Sequence, residues 1–125
     1  MNPVTVGWFE IPVRDMDRAI TFYENVFGCK LSKQVMGDFQ MAWFPNSEGN
    51  GAPGSLVFHE KFYAPSEMAG PLIYLNSEDC SKELSLIPDF GGKILIEKRQ
   101  ISPEIGFMAV FLDSEGNRIA LFSSR

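Results

Sequence analysis

The sequence predicts an α+β protein in which two βαβββ repeats form a curved, eight-stranded mixed sheet with two helices on the outside. Three observations carry this expectation. The stretch MAWFPNSEGN, residues 41–50, returns as MAVFLDSEGN, residues 108–117, with Met, Ala, Phe, Ser, Glu, Gly and Asn matched at a constant offset of 67. Around each copy the spacing of apolar residues changes in the same order, from alternation to the helical period of about 3.6 and back to alternation. The chain of 125 residues, 45% hydrophobic and 13% aromatic, lies in the single-domain range and carries ample material for one packed core.

The first strand runs from Thr5 to Val13, with Val6, Phe9, Ile11 and Val13 as its apolar residues and Trp8 and Glu10 at alternate positions. Asp15 is the N-cap of a helix whose apolar stripe is Met16, Ala19, Ile20, Tyr23, Val26 and Phe27, and Gly28 ends it. Strands follow at Leu31–Met36 and Phe39–Phe44, joined by a Gly37-Asp38 turn, and at Ser55–His59 after a polar loop holding the first SEGN. The order then repeats. Leu72–Leu75 is a strand, Asp79 opens a shorter helix with Cys80, Leu84 and Ile87 on one face, and Pro88 stops it. Phe90-Gly91-Gly92-Lys93 echoes Phe27-Gly28-Cys29-Lys30, and Ile94–Glu97, Phe107–Leu112 and Arg118–Ser123 complete the strands.

Residues 1–60 thus read as the first unit, 61–70 as a linker marked by Pro65, Ser66 and Gly70, and 71–125 as the second unit of a single domain. Doubling has a physical reason. One unit leaves an apolar sheet face that it cannot bury alone, and a second copy covers it. In both SEGN segments Gly and Asn are expected to supply positive φ in a turn.

A formal net charge of −5, with Lys98-Arg99 as the longest basic run, argues against nucleic-acid binding, which needs a basic face to displace counterions. No apolar stretch approaches the roughly 20 residues that cross a bilayer. Met1-Asn2-Pro3-Val4 lacks the features of a secretory signal, so a cytoplasmic location is expected. Cys29 and Cys80 are the only cysteines and form neither a disulfide framework nor a CxxC motif.

Phe9-Glu10-Ile11-Pro12-Val13-Arg14-Asp15-Met16-Asp17-Arg18-Ala19, followed by Phe22-Tyr23 and Val26-Phe27-Gly28, resembles the first strand and helix of the vicinal oxygen chelate superfamily, the glyoxalase I and bleomycin-resistance proteins. Asp113-Ser114-Glu115-Gly116-Asn117-Arg118-Ile119 resembles its closing turn and last strand. The resemblance spans essentially the whole chain. Metal-dependent members place a His or related ligand on the first strand of each unit and usually a Glu on the last. Carried over, those positions fall on Trp8 and Leu72, and on Leu56 and Ala120, with the Leu56 register uncertain by a residue or two because of Gly51-Ala52-Pro53. None of the four side chains coordinates a divalent ion. No cofactor is therefore expected. The alternative, a divalent metal at a site foreign to the family, would need the single His, His59, with Glu60 and Glu10.

The resemblance further implies a concave face carrying Trp8, Glu10 and Pro12, then Leu72, Tyr74 and Asn76, then Ala120 and Phe122, with Leu56 and Phe58 opposite. Such a cleft suits a small organic ligand, apolar or aromatic and possessing or lacking positive charge, held by stacking or cation–π contact. The competing reading is that Trp8 and Phe58 fill the space and make the face solid core. Glu10 opposes it, because an inward carboxylate needs water, a partner or a ligand. Cys29 has only Lys30 near it in sequence and makes a poor nucleophile. The leading expectation is a metal-free small-molecule-binding protein that forms a two-fold homodimer. The alternatives are a glyoxalase-type lyase or isomerase using Glu10 or His59 as base, and a structural or dimerising subunit.

Overall fold

A computed structural model describes residues 3–46 and 52–125. Among these, the chain forms β1 (Phe9–Pro12), α1 (Met16–Phe27), β2 (Ser32–Met36), β3 (Phe39–Trp43), β4 (Gly54–Phe58), β5 (Tyr74–Asn76), α2 (Cys80–Leu84), β6 (Lys93–Ser102), β7 (Gly106–Leu112) and β8 (Arg118–Ser123). The eight strands divide into two four-stranded sheets of the same topology, β1-β4-β3-β2 and β5-β8-β7-β6. In each the first strand lies parallel to the last and the other neighbours are antiparallel, so both sheets are mixed.

Local chemistry explains the boundaries. Asp15 caps α1 by accepting the Arg18 N–H at 3.1 Å, and Gly28 closes it in the left-handed region at φ 64. β1 begins at Phe9 rather than Thr5, because its ladder with β4 starts at Phe9↔Gly54 and the next position back is Pro53, which has no N–H to offer. β5 likewise starts at Tyr74, two residues later than the sequence suggests. β6 runs on to Ser102 instead of ending at Glu97. Its pairing with β7 shifts register at three places, and each bulge breaks the alternation that would have marked it as a strand. Pro88 does not stop the second helix, which ends earlier at Leu84; it begins a 3₁₀ turn, Pro88–Phe90, where its missing N–H costs nothing.

One core joins the two sheets. Phe22 and Tyr23 of α1, both fully buried, meet Ile11, Ala42 and Leu56 of the first sheet and Ala109, Phe111 and Leu121 of the second, while Cys80 and Leu84 of the second helix and Ile87 just after it join the same core. Gly92 sits where a Cβ would come within 2.6 Å of Ile87 Cγ2 and 2.7 Å of the Leu112 carbonyl, so the close fit of this turn needs glycine.

The first SEGN, residues 47–50, lies outside the described residues. In the second, Gly116 supplies the positive φ of 87, but Asn117 does not, and no described non-glycine residue has positive φ. Asn117 works through its side chain instead, donating to the Pro12 carbonyl at 2.7 Å and to Asp113 Oδ2 at 3.1 Å. Beside it, Glu115 accepts the backbone N–H groups of Arg14 and Asp15 at 2.7 and 2.8 Å, and the Tyr23 hydroxyl donates to Asp113 at 2.6 Å. The turn therefore fastens the end of the second sheet to the strand-to-helix corner of the first.

Candidate functional site

Strand alternation assigns each residue to a face. In the first sheet the register pairs Ile11↔Leu56 and Ala42↔Leu56 belong to the core under the helices, so Glu10↔Ser55 and Trp43↔Ser55 lie on the helix-free face. In the second, Ala109, Phe111, Ile119 and Leu121 face the helices, which leaves Tyr74, Asn76, Ala120 and Phe122 on the helix-free face. Leu72 packs there against Met108, Val110 and Ala120. Trp8 extends the alternation of Glu10 and Pro12, and its ring meets that of Trp43 at 5.9 Å with an interplanar angle of 81°.

Leu56 and Phe58 are a correction. Leu56 is wholly buried in the helix-side core, and Phe58, opposite Gln40, packs against that same core. A one-residue shift in β4 turns every side chain to the other face. Ser55 and Val57 take the helix-free positions. Ser55 stands to Glu10 as Ala120 stands to Tyr74.

The helix-free face of the first sheet carries an aromatic assembly. The His59 ring lies 4.5 Å from Phe39 and 4.7 Å from Phe62, and Phe39 lies 6.1 Å from Tyr63. The Tyr63 hydroxyl donates to Glu10 Oε1. That bond, then burial, raises the tyrosine pKa above its ordinary value. His59 Nδ1 accepts the Lys61 N–H at 3.1 Å, so the neutral ring carries its proton on Nε2 and its acceptor nitrogen is already used. That arrangement disfavours His59 as a base.

A cavity of about 520 Å³ opens along the seam between β1 and β8, lined among others by Trp8, Glu10, Pro12, Ser66, Ile73 and Arg118. Its far wall is held by Ser66, whose N–H donates to Asn117 Oδ1 at 3.3 Å and whose carbonyl accepts the Arg118 N–H at 3.3 Å. Trp8 and Glu10 meet here. Leu72, Ala120 and Phe122 do not line this cavity, and Tyr74 and Asn76 border a different one of about 460 Å³ that includes Cys29. Burial, then Glu24, raises the Cys29 thiol pKa, which disfavours a thiolate. A third cavity, about 760 Å³, lies between the start of α1 and the β2–β3 hairpin and contains Phe58.

With β4 in its observed register, the positions implied for metal ligands hold Trp8, Ser55, Leu72 and Ala120. One hydroxyl and three carbon side chains do not suit a divalent cation. No three His, Cys, Asp or Glu side chains converge on a possible metal position among the described residues, so His59, Glu60 and Glu10 do not form the alternative site.

Sequence reasoning missed Trp43, Ser55 and Tyr63. Trp43 falls in the repeated stretch opposite Val110, so the departure from the repeat was a usable signal. Tyr63, in the segment between the sheets, offered none.

The family model for the Glyoxalase/Bleomycin resistance protein/Dioxygenase superfamily matches residues 5–121. A glyoxylase-like domain-containing protein of Didymella fabae is 27% identical over 119 residues, covering 93% of this chain and 91% of its own. An antibiotic-binding protein from a Streptomyces species is 24% identical with a TM-score of 0.67, covering 100% of this chain and 99% of its own. A domain described in the same superfamily terms from Frankia sp. is 14% identical with a TM-score of 0.74, over 99% and 100% of the two chains. Maize glyoxalase I is 20% identical with a TM-score of 0.68; the match takes in 94% of this chain but 45% of the maize chain. At these identities the solved structures speak to fold alone.

Proposed function

The chain belongs to the glyoxalase/bleomycin resistance protein/dioxygenase superfamily, and from that premise we propose that it is a metal-free protein that binds a small organic molecule in the seam beside β1. The observation that carries this reading is the meeting of Trp8 and Glu10 on an open cavity of about 520 Å³, within the usual size of small-molecule sites. Trp8 is 40% exposed as a residue, and its indole offers a stacking face. Glu10, steadied by Tyr63, presents a carboxylate that favours a cationic substituent, and contact of a cation with the indole adds about 0.5–2 kcal/mol. Pro12 and Ile73 give apolar walls. The likeness in fold and length to an antibiotic-binding protein is consistent with a binder.

The test is a tryptophan-quenching screen of planar aromatic cations without a carbonyl on a Trp43→Phe background, which leaves Trp8 as the emitter. Saturable quenching is expected, and Trp8→Ala in that background should abolish it with the far-UV spectrum unchanged. Glu10 also supports a second reading, an enzyme of lyase or isomerase type with this carboxylate as base. Glu10→Gln separates the two: in a binder it selectively weakens cationic ligands, whereas in an enzyme it lowers turnover far more than affinity.

A further inference from the structure

Among the described residues, two buried side-chain polar atoms of the first sheet have no hydrogen-bond partner, Trp43 Nε1 and Ser55 Oγ. They are neighbours, since Trp43 and Ser55 face each other directly across β3 and β4. Ser55 is 0% exposed and also pairs with Glu10, so both donors sit on the helix-free face next to the cavity-lining residues of β1. Leaving such groups unpaired is costly, and a native structure that keeps two together calls for a reason. The neighbouring Trp8 lies just outside the β1 ladder and rests its ring against Trp43.

We propose that the Trp43 indole N–H and the Ser55 hydroxyl form a donor subsite that reads an acceptor oxygen on the edge of an aromatic ligand, with the Trp8 ring as its movable cover. The proposal rests on the binding reading above and narrows it to a ligand class, planar aromatic molecules carrying a carbonyl or similar acceptor. On binding, the Trp8 ring turns from Trp43, the ligand ring extends from the seam across β1, and its oxygen accepts both donors. The unpaired state of the free protein is the cost that only an acceptor-bearing ligand removes, which makes the pair a source of selectivity.

The matched probes are 9-fluorenone and fluorene, the same three-ring skeleton with a carbonyl or a methylene. Affinities are measured by calorimetry for the wild type, Ser55→Ala, Trp43→Phe and the double variant. The expected result is that the double variant loses about tenfold in fluorenone affinity, the worth of two modest hydrogen bonds, with fluorene affinity unchanged. The ligand-free Ser55→Ala protein should melt no lower than the wild type, because the hydroxyl it loses has no partner. Equal losses for both probes, or no loss for either, overturn the donor subsite while leaving the binding reading intact. Failure of the wild type to bind either probe overturns both. A melting temperature lowered by several degrees in Ser55→Ala also overturns the subsite, since the hydroxyl would then be serving the free structure.

Discussion

The Arg18 guanidinium grips the Glu115 carboxylate, with Nε 2.7 Å from Oε2 and NH2 3.0 Å from Oε1. The Glu115 side chain is fully buried in this contact, whereas that of Arg18 is 52% exposed. Burial alone would raise the Glu115 pKa, but the Arg18 bond and the Arg14 and Asp15 N–H groups outweigh it and lower the value. The glutamate of the second SEGN thus clamps the second sheet to the first helix.

Glu115→Ala should therefore destabilise the fold by about 2–4 kcal/mol, somewhat below the roughly 3–5 kcal/mol of a fully buried pair because Arg18 is partly solvated. Glu115→Gln, which keeps an acceptor for the two N–H groups, should cost less. Urea unfolding at neutral pH checks both.

The pH dependence has a definite sign at the second helix. Lys98 and the Ser81 N–H hold the Asp79 carboxyl down to about 2 from its ordinary 3.8. Its stabilising contribution is present above 3.8 and is lost as pH falls toward about 2. Asp79→Asn should accordingly be less stable than the wild type at pH 7, and the gap should close when unfolding is repeated near pH 2. Asp113 runs the other way: burial raises its pKa, so its contribution to folding is fully present below the ordinary 3.8 and is lost as pH rises through the raised folded value.

Much of this fold was legible because cap residues and alternation act locally. Asp15 and Gly28 fix α1, and the matched stretches around Met41 and Met108 fix β3 and β7. That Trp8 and Glu10 share one face of β1 was legible from strand alternation, and both line the seam cavity. The site was misplaced at Leu56 and Phe58, because the register of β4 depends on a long-range pairing with β1 that local sequence does not set. Tyr63 reaches Glu10 from 53 residues away, and no local pattern encodes such a contact.

The donor set at Trp8, Ser55, Leu72 and Ala120 predicts that the purified protein carries no stoichiometric nickel, zinc, iron or manganese and that chelator leaves its melting temperature unchanged. Elemental analysis near one metal per chain would reverse that reading.

The edge strand β6 exposes Leu95 and Ile96, and Ile101 beyond them, with a free edge along the sheet. A two-fold homodimer is the expected assembly. Light scattering at micromolar concentration should give about twice the 14.0 kDa chain mass, and a monomer alone would rule the dimer out.

The most direct measurement of the central claim is a ¹H–¹⁵N correlation titration of the wild type with 9-aminoacridine, a planar aromatic cation. Saturable shifts are expected to gather on Trp8, Glu10, Ser66, Ile73 and Arg118, with the Trp8 indole signal among them. Shifts confined to the cavity beside the β2–β3 hairpin, around Lys33, Val35 and Gln40, or no saturable shift at any ligand concentration, would contradict binding at the seam.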